Sequence, residues 1–342
     1  MERKLATIRT VSDIQPIENA DNIEVATVDG WKVVVKKGEF EGGDLGVFFE
    51  IDSFLPIEDR YEFLRKSSYK TMTDGTEGFR LKTVKLRKQI SQGLLLPLNL
   101  FPEIKPSLGE DVTEKLNIKK YEPPIPACLS GVVKGRFPSF IQKTDQERIQ
   151  NLPLYFETLK EMEFEESEKL DGSSATYYVK DGEFGVCSRN LELKESETNT
   201  LWQVAKKIEI KESLEKLKMN IAIQGELVGE GINKNTLKLM GHHFYIFDIF
   251  DIDNHRYLTP GERYKLIERI NNDQLKQVPI INIIKIFEIY DSMEKILEYA
   301  DRKSVINPNV SREGVVFKSC ELYEGDTVSF KVINNNYLLK HE

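Results

Sequence analysis

Cysteine is scarce in this chain. Three residues, Cys128, Cys187 and Cys320, stand far apart among 342. So odd and scattered a set builds no disulfide framework and reads as reduced thiols inside a cell. The four histidines, His242, His243, His255 and His341, have no zinc-like spacing with these cysteines, which leaves them as structural or surface residues. Positive charge is not in excess either. The net charge is −8, so any nucleic-acid binding has to use local basic patches. No apolar run reaches the length of a membrane span, and HFYIFDIFDI is broken by Asp248 and Asp251. The opening MERKLATIRTV lacks the apolar core of a signal peptide. A cytoplasmic protein with no membrane partner is expected. Repeats and low-complexity segments are missing as well.

What is present is ordinary in bulk. Hydrophobic residues make up 40% and charged residues 30% of a length that accommodates two domains. Residues 1–122 read as short strands joined by turns. KLATIRTV comes first. IEVATV ends at Asp29-Gly30, a hairpin turn, and WKVVVKK follows at once. DLGVFFEI, FRLKTVKL and QGLLLPL add further β-rich runs. About five strands in a segment of this size suit a small closed barrel of the OB type. NADNIEVATVD, residues 19–29, resembles the opening of tRNA-binding OB modules.

One stretch of this first part is basic. FRLKTVKLRK, residues 79–88, holds Arg80, Lys82, Lys85, Arg87 and Lys88 and no acid. As one regular strand it places Arg80 and Lys82 on one face and Lys85 and Arg87 on the other. It reads as an RNA-backbone patch or as a solvated edge strand that resists aggregation. Trp31, Phe48 and Phe49 read as base-stacking residues or as core.

KKYEPPIPACLSG, residues 119–131, marks the joint. Pro123, Pro124 and Pro126 exclude a helix, so residues 123–138 read as an extended linker and 139–342 as a second domain. Thr144 with Glu147 forms the pattern of a capping box, which predicts a helix N-terminus at Lys143 to Arg148, a place that suits phosphate. EMEFEESEKL alternates Glu161, Glu163 and Glu165 with Met162 and Phe164 and predicts a half-exposed strand leading to Lys169. Beyond it, strands alternate with helical segments, among them TNTLWQVAKKI, ESLEKLKM and a helix from Thr259-Pro260 through Ile270. The fold expected is α+β, an OB-like barrel followed by a mixed α/β domain on antiparallel sheets.

Glu168 to Ser174 reads Glu-Lys-Leu-Asp-Gly-Ser-Ser. Lys169 closes a strand, with a carboxylate two residues on and a glycine next. A neutral lysine amine attacks phosphorus and forms a covalent intermediate, which requires burial or nearby cations to depress its pKa. Asp171 suits placement of a divalent metal, and Gly172 lets the backbone turn close to a nucleotide. Taken alone, the tetrapeptide fits a surface turn as well. Its sequel is more specific. Ser188-Arg189-Asn190, Gly225-Glu226-Leu227, Phe247-Asp248, Glu313 through Lys318, and Ser329-Phe330-Lys331 come after it in order. Charged residues on such strands are costly unless paired or functional.

This ordered set resembles that of the covalent nucleotidyltransferases, the polynucleotide ligases and mRNA capping enzymes, over about residues 140–340. Ser174 stands where DNA ligases and capping enzymes usually carry arginine, and in this it is similar to RNA ligases. The β module precedes the catalytic part, and only eleven residues follow Lys331. With KTDQERIQNL and NADNIEVATVDGWKVVV, this arrangement closely resembles the fifth family of stand-alone RNA ligases.

The resemblance implies ATP as AMP donor, Mg²⁺ or Mn²⁺, and RNA ends or a nicked duplex with an RNA 3′-hydroxyl as partner. It implies RNA repair by a monomer in three steps through lysyl-AMP and an RNA-adenylate. Lys169 is then the nucleophile, and Glu168 lies at the adenine site. Phe247, with Phe244 as the alternative, stacks on the base. Arg189 contacts the ribose or the RNA 5′-phosphate, and Glu226 a ribose hydroxyl or a metal-bound water. Asp171 and Glu313 hold the waters of the metal. Lys318 and Lys331 bind the α-phosphate and depress Lys169 by like-charge repulsion, and Arg148 touches the β-phosphate. Many ligases place a second lysine two residues after the last. Ile333 stands there, so Lys331 carries more weight. The rivals are a DNA ligase or guanylyltransferase of the same superfamily and an inactive RNA- or tRNA-binding protein.

Overall fold

The computed structural model describes residues 4–72, 74–121 and 132–341. Pro123, Pro124, Pro126 and Cys128 lie outside the described residues. The chain divides into two compact units, residues 1–126 with 338–342 and residues 127–337.

The first unit is built from short antiparallel strands. β1 (Ala6–Thr10), β2 (Ile23–Val28), β3 (Trp31–Lys36) and β4 (Leu45–Phe49) come first. The β2–β3 turn is tight because Asp29 and Gly30 both take positive φ, 46° and 85°, as a two-residue hairpin requires. β5 (Thr83–Leu86), β6 (Gln89–Gln92) and β7 (Leu94–Pro97) come next, and β4 lies between β1 and β7. Trp31, Phe48 and Phe49 are at most 1% exposed. They are core residues, not stacking platforms, because alternation on twisted strands turns them inward.

The basic stretch is not one strand. Arg80 ends a separate strand, Glu77–Arg80, and the chain is pinned where the Leu81 N–H donates to the Ser53 carbonyl. Arg80 itself pairs with Asp52 at 2.7 Å and lies over the Tyr121 ring. Lys82, Lys85, Arg87 and Lys88 are exposed. β5 and β6 form their own two-stranded hairpin, turning at Arg87 and Lys88 with φ of 50° and 71°. Left-handed backbone at two bulky residues is strained.

The second unit is two antiparallel-rich sheets with helices. Its first strand, Val133–Arg136, falls inside the segment read as a linker and pairs with Leu191–Leu193, and β8 is the pair Glu147–Arg148, where a helix N-terminus was expected. The Glu147 carboxylate accepts from the Arg148 N–H and the Asn151 amide instead of capping Thr144. Glu147 and Arg148 pair instead with Phe330 and Lys331, and only a 3-10 turn, Ile149–Asn151, follows.

β9 (Phe164–Lys169), β10 (Ser173–Lys180), β11 (Glu183–Ser188), β12 (Ile221–Gly229) and β13 (His242–Asp251) succeed one another along the chain. Between β11 and β12 lies α1 (Thr200–Lys207), capped by Asn199. α2 (Pro260–Ile270) begins on a complete capping box of Thr259 and Glu262. β14 (Ile280–Ile284), α3 (Met293–Ala300), β15 (Gly314–Ser319), β16 (Ser329–Ile333) and α4 (Asn335–His341) complete the chain. One sheet runs β8-β16-β15-β9-β14, and the other contains β11-β10-β12-β13.

β9 is buried, not half-exposed. It lies between β15 and β14, so neighbours cover it. Its acids are therefore paired. Glu165 takes a bidentate bond from Arg263 at 2.7 Å, with both side chains at most 3% exposed. Glu166 accepts from the Tyr299 hydroxyl and lies 3.7 Å from Arg312. Removing one member of a buried pair leaves the other charge uncompensated. Glu165→Ala is expected to destabilise the protein by about 3–5 kcal/mol. Urea denaturation of both proteins checks this, and a midpoint unchanged from wild type counts against the pair.

Candidate active site

Lys169 ends β9 and faces Glu313, its Nζ donating to the carboxylate at 2.6 Å. Glu313 immediately precedes β15, and Lys169 stands opposite Gly314 in the ladder. Two residues past Lys169, Asp171 accepts from the Tyr337 hydroxyl at 2.6 Å and from the Asn233 amide at 3.2 Å. The Gly172 N–H donates to Glu226 on β12 at 3.0 Å. A side chain at Gly172 has no room, because a Cβ there would come within 2.2 Å of the Leu227 carbonyl. Glycine is required by this close approach of the Asp171–Gly172 turn to β12.

The second group is cationic. Arg148 and Lys331 are partners in parallel strands, and Arg148 is buried. Lys331 lies 3.7 Å from Asp145, whose same oxygen is 3.6 Å from Arg189. Lys318 is only 4% exposed and forms an ion pair with Asp248. Burial pulls the Lys318 ammonium down from its usual value, and Glu165 opposes this. The expected crowding of Lys169 by two lysines is not what the chain builds. Lys318 and Lys331 have carboxylate partners of their own, and the partner of Lys169 is Glu313.

A bulge aims Asp248. Along β12 the register against β13 shifts between Gln224 and Gly225, so that Gln224 faces Asp248 and Gly225 faces Ile246. Phe247 is the inserted residue, and such an insertion re-aims the side chains next to it. Phe244 packs in the core edge-on to Tyr177, centroids 5.0 Å apart. Phe247 and Tyr245 belong to a different cluster with Leu170, Val228 and Val278. Phe244 is therefore withdrawn from the site, whereas Phe247 borders the Lys169–Asp171 turn.

Glu168, next to Lys169 on β9, is buried. One oxygen accepts from the Val305 N–H at 2.7 Å, and Oε1 is buried without a hydrogen-bond partner among the described residues. Tyr337, Asn233, Thr236 and Asn334 were not read from the sequence as part of the site. The Asn334-Asn335-Asn336 run after the last strand was a cap signal that could have pointed to α4, but not to what Tyr337 touches.

Among the described residues no three His, Cys, Asp or Glu side chains form a ready-made metal-ligand group. The donor set still fits a hard cation bound largely through water and phosphate oxygens. Asp171 and Glu313 are carboxylates near enough to influence each other, and Glu313 Oε2 is buried with no hydrogen-bond partner among the described residues.

Burial raises the Glu313 carboxyl above its ordinary value, with Lys169 opposing. Burial also pushes Glu226 up to about 8, with Glu313 and Asp171 adding to the effect and Lys169 and the Gly172 N–H opposing it. A carboxyl raised in the folded state keeps a proton that the unfolded chain loses from about 4.5 upward. The folded state then binds more protons, so stability falls as pH rises from about 4.5 to about 8. In metal-free protein, Glu226→Gln is expected to flatten this fall. Melting temperatures measured across that range for both proteins check it, and two parallel curves would contradict it.

Comparison with known proteins shows the same two-part division. A model described as an OB-fold domain matches residues 5–98, and one described as RNA ligase matches residues 162–333. No curated protein sequence matches. Among solved structures, a ligand-free lysine-to-alanine variant of a Naegleria gruberi RNA ligase is 49% identical, with a TM-score of 0.86 and 99% of each chain covered. A glutamate-to-alanine variant of the Naegleria gruberi RNA ligase with AMP and Mn is 50% identical, at 0.86 and the same 99% coverages. A further lysine-to-alanine variant, with ATP and Mn, is 50% identical at 0.85, again with 99% of each chain covered. The similarity to these structures extends over nearly the whole chain, and the chain belongs to the RNA ligase family.

Proposed function

We propose that this RNA ligase uses ATP to join an RNA 3′-hydroxyl to a 5′-phosphate, through lysyl-AMP on Lys169 and an RNA-adenylate. The observation that carries this is the placement of Lys169 at a strand end, opposite Glu313 and in one sheet with Lys318, Lys331 and Arg148. The ATP and Mn bound by the Naegleria gruberi enzyme support the same donor and a divalent cation here, Mn²⁺ or Mg²⁺.

In the first step Lys169 leaves its pair with Glu313, gives up a proton and attacks the α-phosphorus. A nitrogen–phosphorus bond forms, and the bond to pyrophosphate breaks with its electron pair on the leaving oxygen. Lys331 and Lys318 take the α-phosphate charge and Arg148 the β-phosphate, because nucleotidyl transfer depends on positioning and charge neutralisation. Phe247 stacks on adenine, and the open oxygen of Glu168 faces its amino edge. Glu226 accepts from a ribose hydroxyl. Asp171 and Glu313 would hold the waters of a divalent cation, which would supply further positive charge to the phosphates. In the second step the RNA 5′-phosphate, steered by Arg189, displaces lysine and takes the AMP. In the third the 3′-hydroxyl displaces AMP and the strand is sealed.

The first unit forms the module that holds nucleic acid and the second unit the adenylation domain. The enzyme works as a monomer in the cytoplasm, on RNA ends or on a nicked duplex whose 3′-hydroxyl strand is RNA, in RNA repair.

Labelled ATP with metal, then denaturing electrophoresis, tests the central claim. The wild type is expected to carry an acid-labile AMP adduct. Lys169→Ala and Lys169→Arg are expected to carry none, guanidinium being unable to lose its proton. Lys169→Ala should still slowly seal a strand supplied already adenylated. Glu313→Ala and Lys331→Ala should form adduct about a hundredfold more slowly or worse. A full adduct in Lys169→Ala sinks the assignment.

A second measurement addresses the first unit. Arg80 is engaged with Asp52, so the exposed basic side chains to test are Lys82, Lys85, Arg87 and Lys88. Changing these to glutamine should weaken binding to a nicked duplex and make its salt dependence shallower, by about 0.9 in log–log slope for each phosphate no longer neutralised. An unchanged dissociation constant and slope across a salt series mean that the hairpin only keeps an edge soluble.

A further inference from the structure

Asp171 is held differently from three buried acids of the same unit. Glu165 has Arg263, Glu166 has Arg312, and Asp248 has Lys318. Each of those carboxylates is neutralised by a cation. Asp171 is held by uncharged donors. Its Oδ2 accepts from Tyr337 at 2.6 Å and from Thr236 at 3.5 Å, and its Oδ1 accepts from Asn233 at 3.2 Å. Such bonds fix where the carboxylate points and leave its charge uncancelled by a fixed cation. Tyr337 is 6% exposed, so its hydroxyl is held by packing as well as by the bond.

Tyr337 is itself placed from the Glu313 side. Asn334 is fully buried between β16 and α4. Its amide oxygen accepts from the N–H groups of Asn336 at 3.0 Å and Tyr337 at 3.1 Å, forming the first turn that carries the phenol. Its amide nitrogen donates to the Arg312 carbonyl at 3.1 Å and to Asp301 at 3.0 Å. Its backbone N–H donates to the Glu313 carbonyl at 2.9 Å. One buried asparagine thus grips the backbone around Glu313 and the turn that holds Tyr337. A continuous set of bonds runs from Glu313 through Asn334 and Tyr337 to Asp171, joining carboxylates that lie far apart in sequence.

From this geometry we infer that Tyr337, seated by Asn334, is a positioning residue that sets Asp171 against Glu313 as a preformed pair for the divalent cation. This rests on the ATP-dependent reading of the same site. Groups that orient metal-binding side chains contribute to affinity although they never touch the ion. The open oxygen of Glu313 and the fixed carboxylate of Asp171 would then hold the waters of a cation with little rearrangement of either side chain.

Tyr337→Phe in the full-length protein tests it, because only the hydroxyl is lost. Mn²⁺ is titrated into wild type and variant with α,β-methylene-ATP present, and free Mn²⁺ is read by electron paramagnetic resonance. The concentration for half-saturation is expected to rise about tenfold in the variant. Adduct formation from ATP should shift to higher Mn²⁺ by a similar factor and recover at saturating metal, and the melting temperature of the metal-free protein should hold. An unchanged Mn²⁺ curve overturns the inference. So does a lower rate at saturating metal with unchanged Mn²⁺ affinity, the result for a hydroxyl that serves packing alone. If Tyr337→Phe does not fold, Thr236→Val removes another hydroxyl from the same oxygen, and a Mn²⁺ curve that fails to shift in the same direction overturns the inference equally. Failure of the underlying reading looks different, because wild type itself then forms no adduct with AMP.

Discussion

The bond between Lys169 and Glu313 closes the second unit on itself. The two residues are 144 positions apart and meet at 2.6 Å. The contact exists only because β9 pairs with β15 in a register that brings Lys169 opposite Gly314. That register depends in turn on what lies beneath it, since every acid on β9 needs a partner before the strand can be buried. Arg263, Tyr299, Arg312 and the Val305 N–H supply those partners from four separate places. The nucleophile is therefore fixed less by its own surroundings than by the satisfaction of charges along the strand that leads to it.

Much of this was legible in the sequence, and two matching patterns show where legibility stops. Thr259 to Glu262 and Thr144 to Glu147 share the same capping-box spacing. The first begins α2 as read, with proline at its first position. The second begins no α-helix, because Glu147 and Arg148 pair as a strand with Phe330 and Lys331. Local signals suffice where the chain is free to obey them and fail where a distant strand competes. The α+β class and the OB-like module were readable because they rest on alternation and turn chemistry. The burial of β9 was not, since alternation of acids with apolar residues is the same for a surface strand and for one whose acids are paired inside.

The site shows the same boundary. The order of lysines and carboxylates along the chain named both Lys169 and Glu313, and these two meet. It did not show that Phe244 turns into the core while Phe247 faces the Lys169 turn, a result of one inserted residue on β13. Nor did it mark Tyr337, whose contact with Asp171 spans 166 positions. Both are consequences of register and packing, which a single sequence records only indirectly.

The pairing of β9 also bears on how the chain is made. Synthesis runs from the N-terminus, so β9 leaves the ribosome before Arg263, Tyr299 or Arg312 exists. Glu165 waits 98 residues for its arginine. Until then the strand carries unpaired acids and has every reason to stay in water. The sheet that bears the nucleophile therefore assembles late, after nearly the whole chain has been released, and a nascent fragment ending short of β15 holds Lys169 without Glu313. A shortened product of interrupted synthesis thus lacks the partner of its nucleophile.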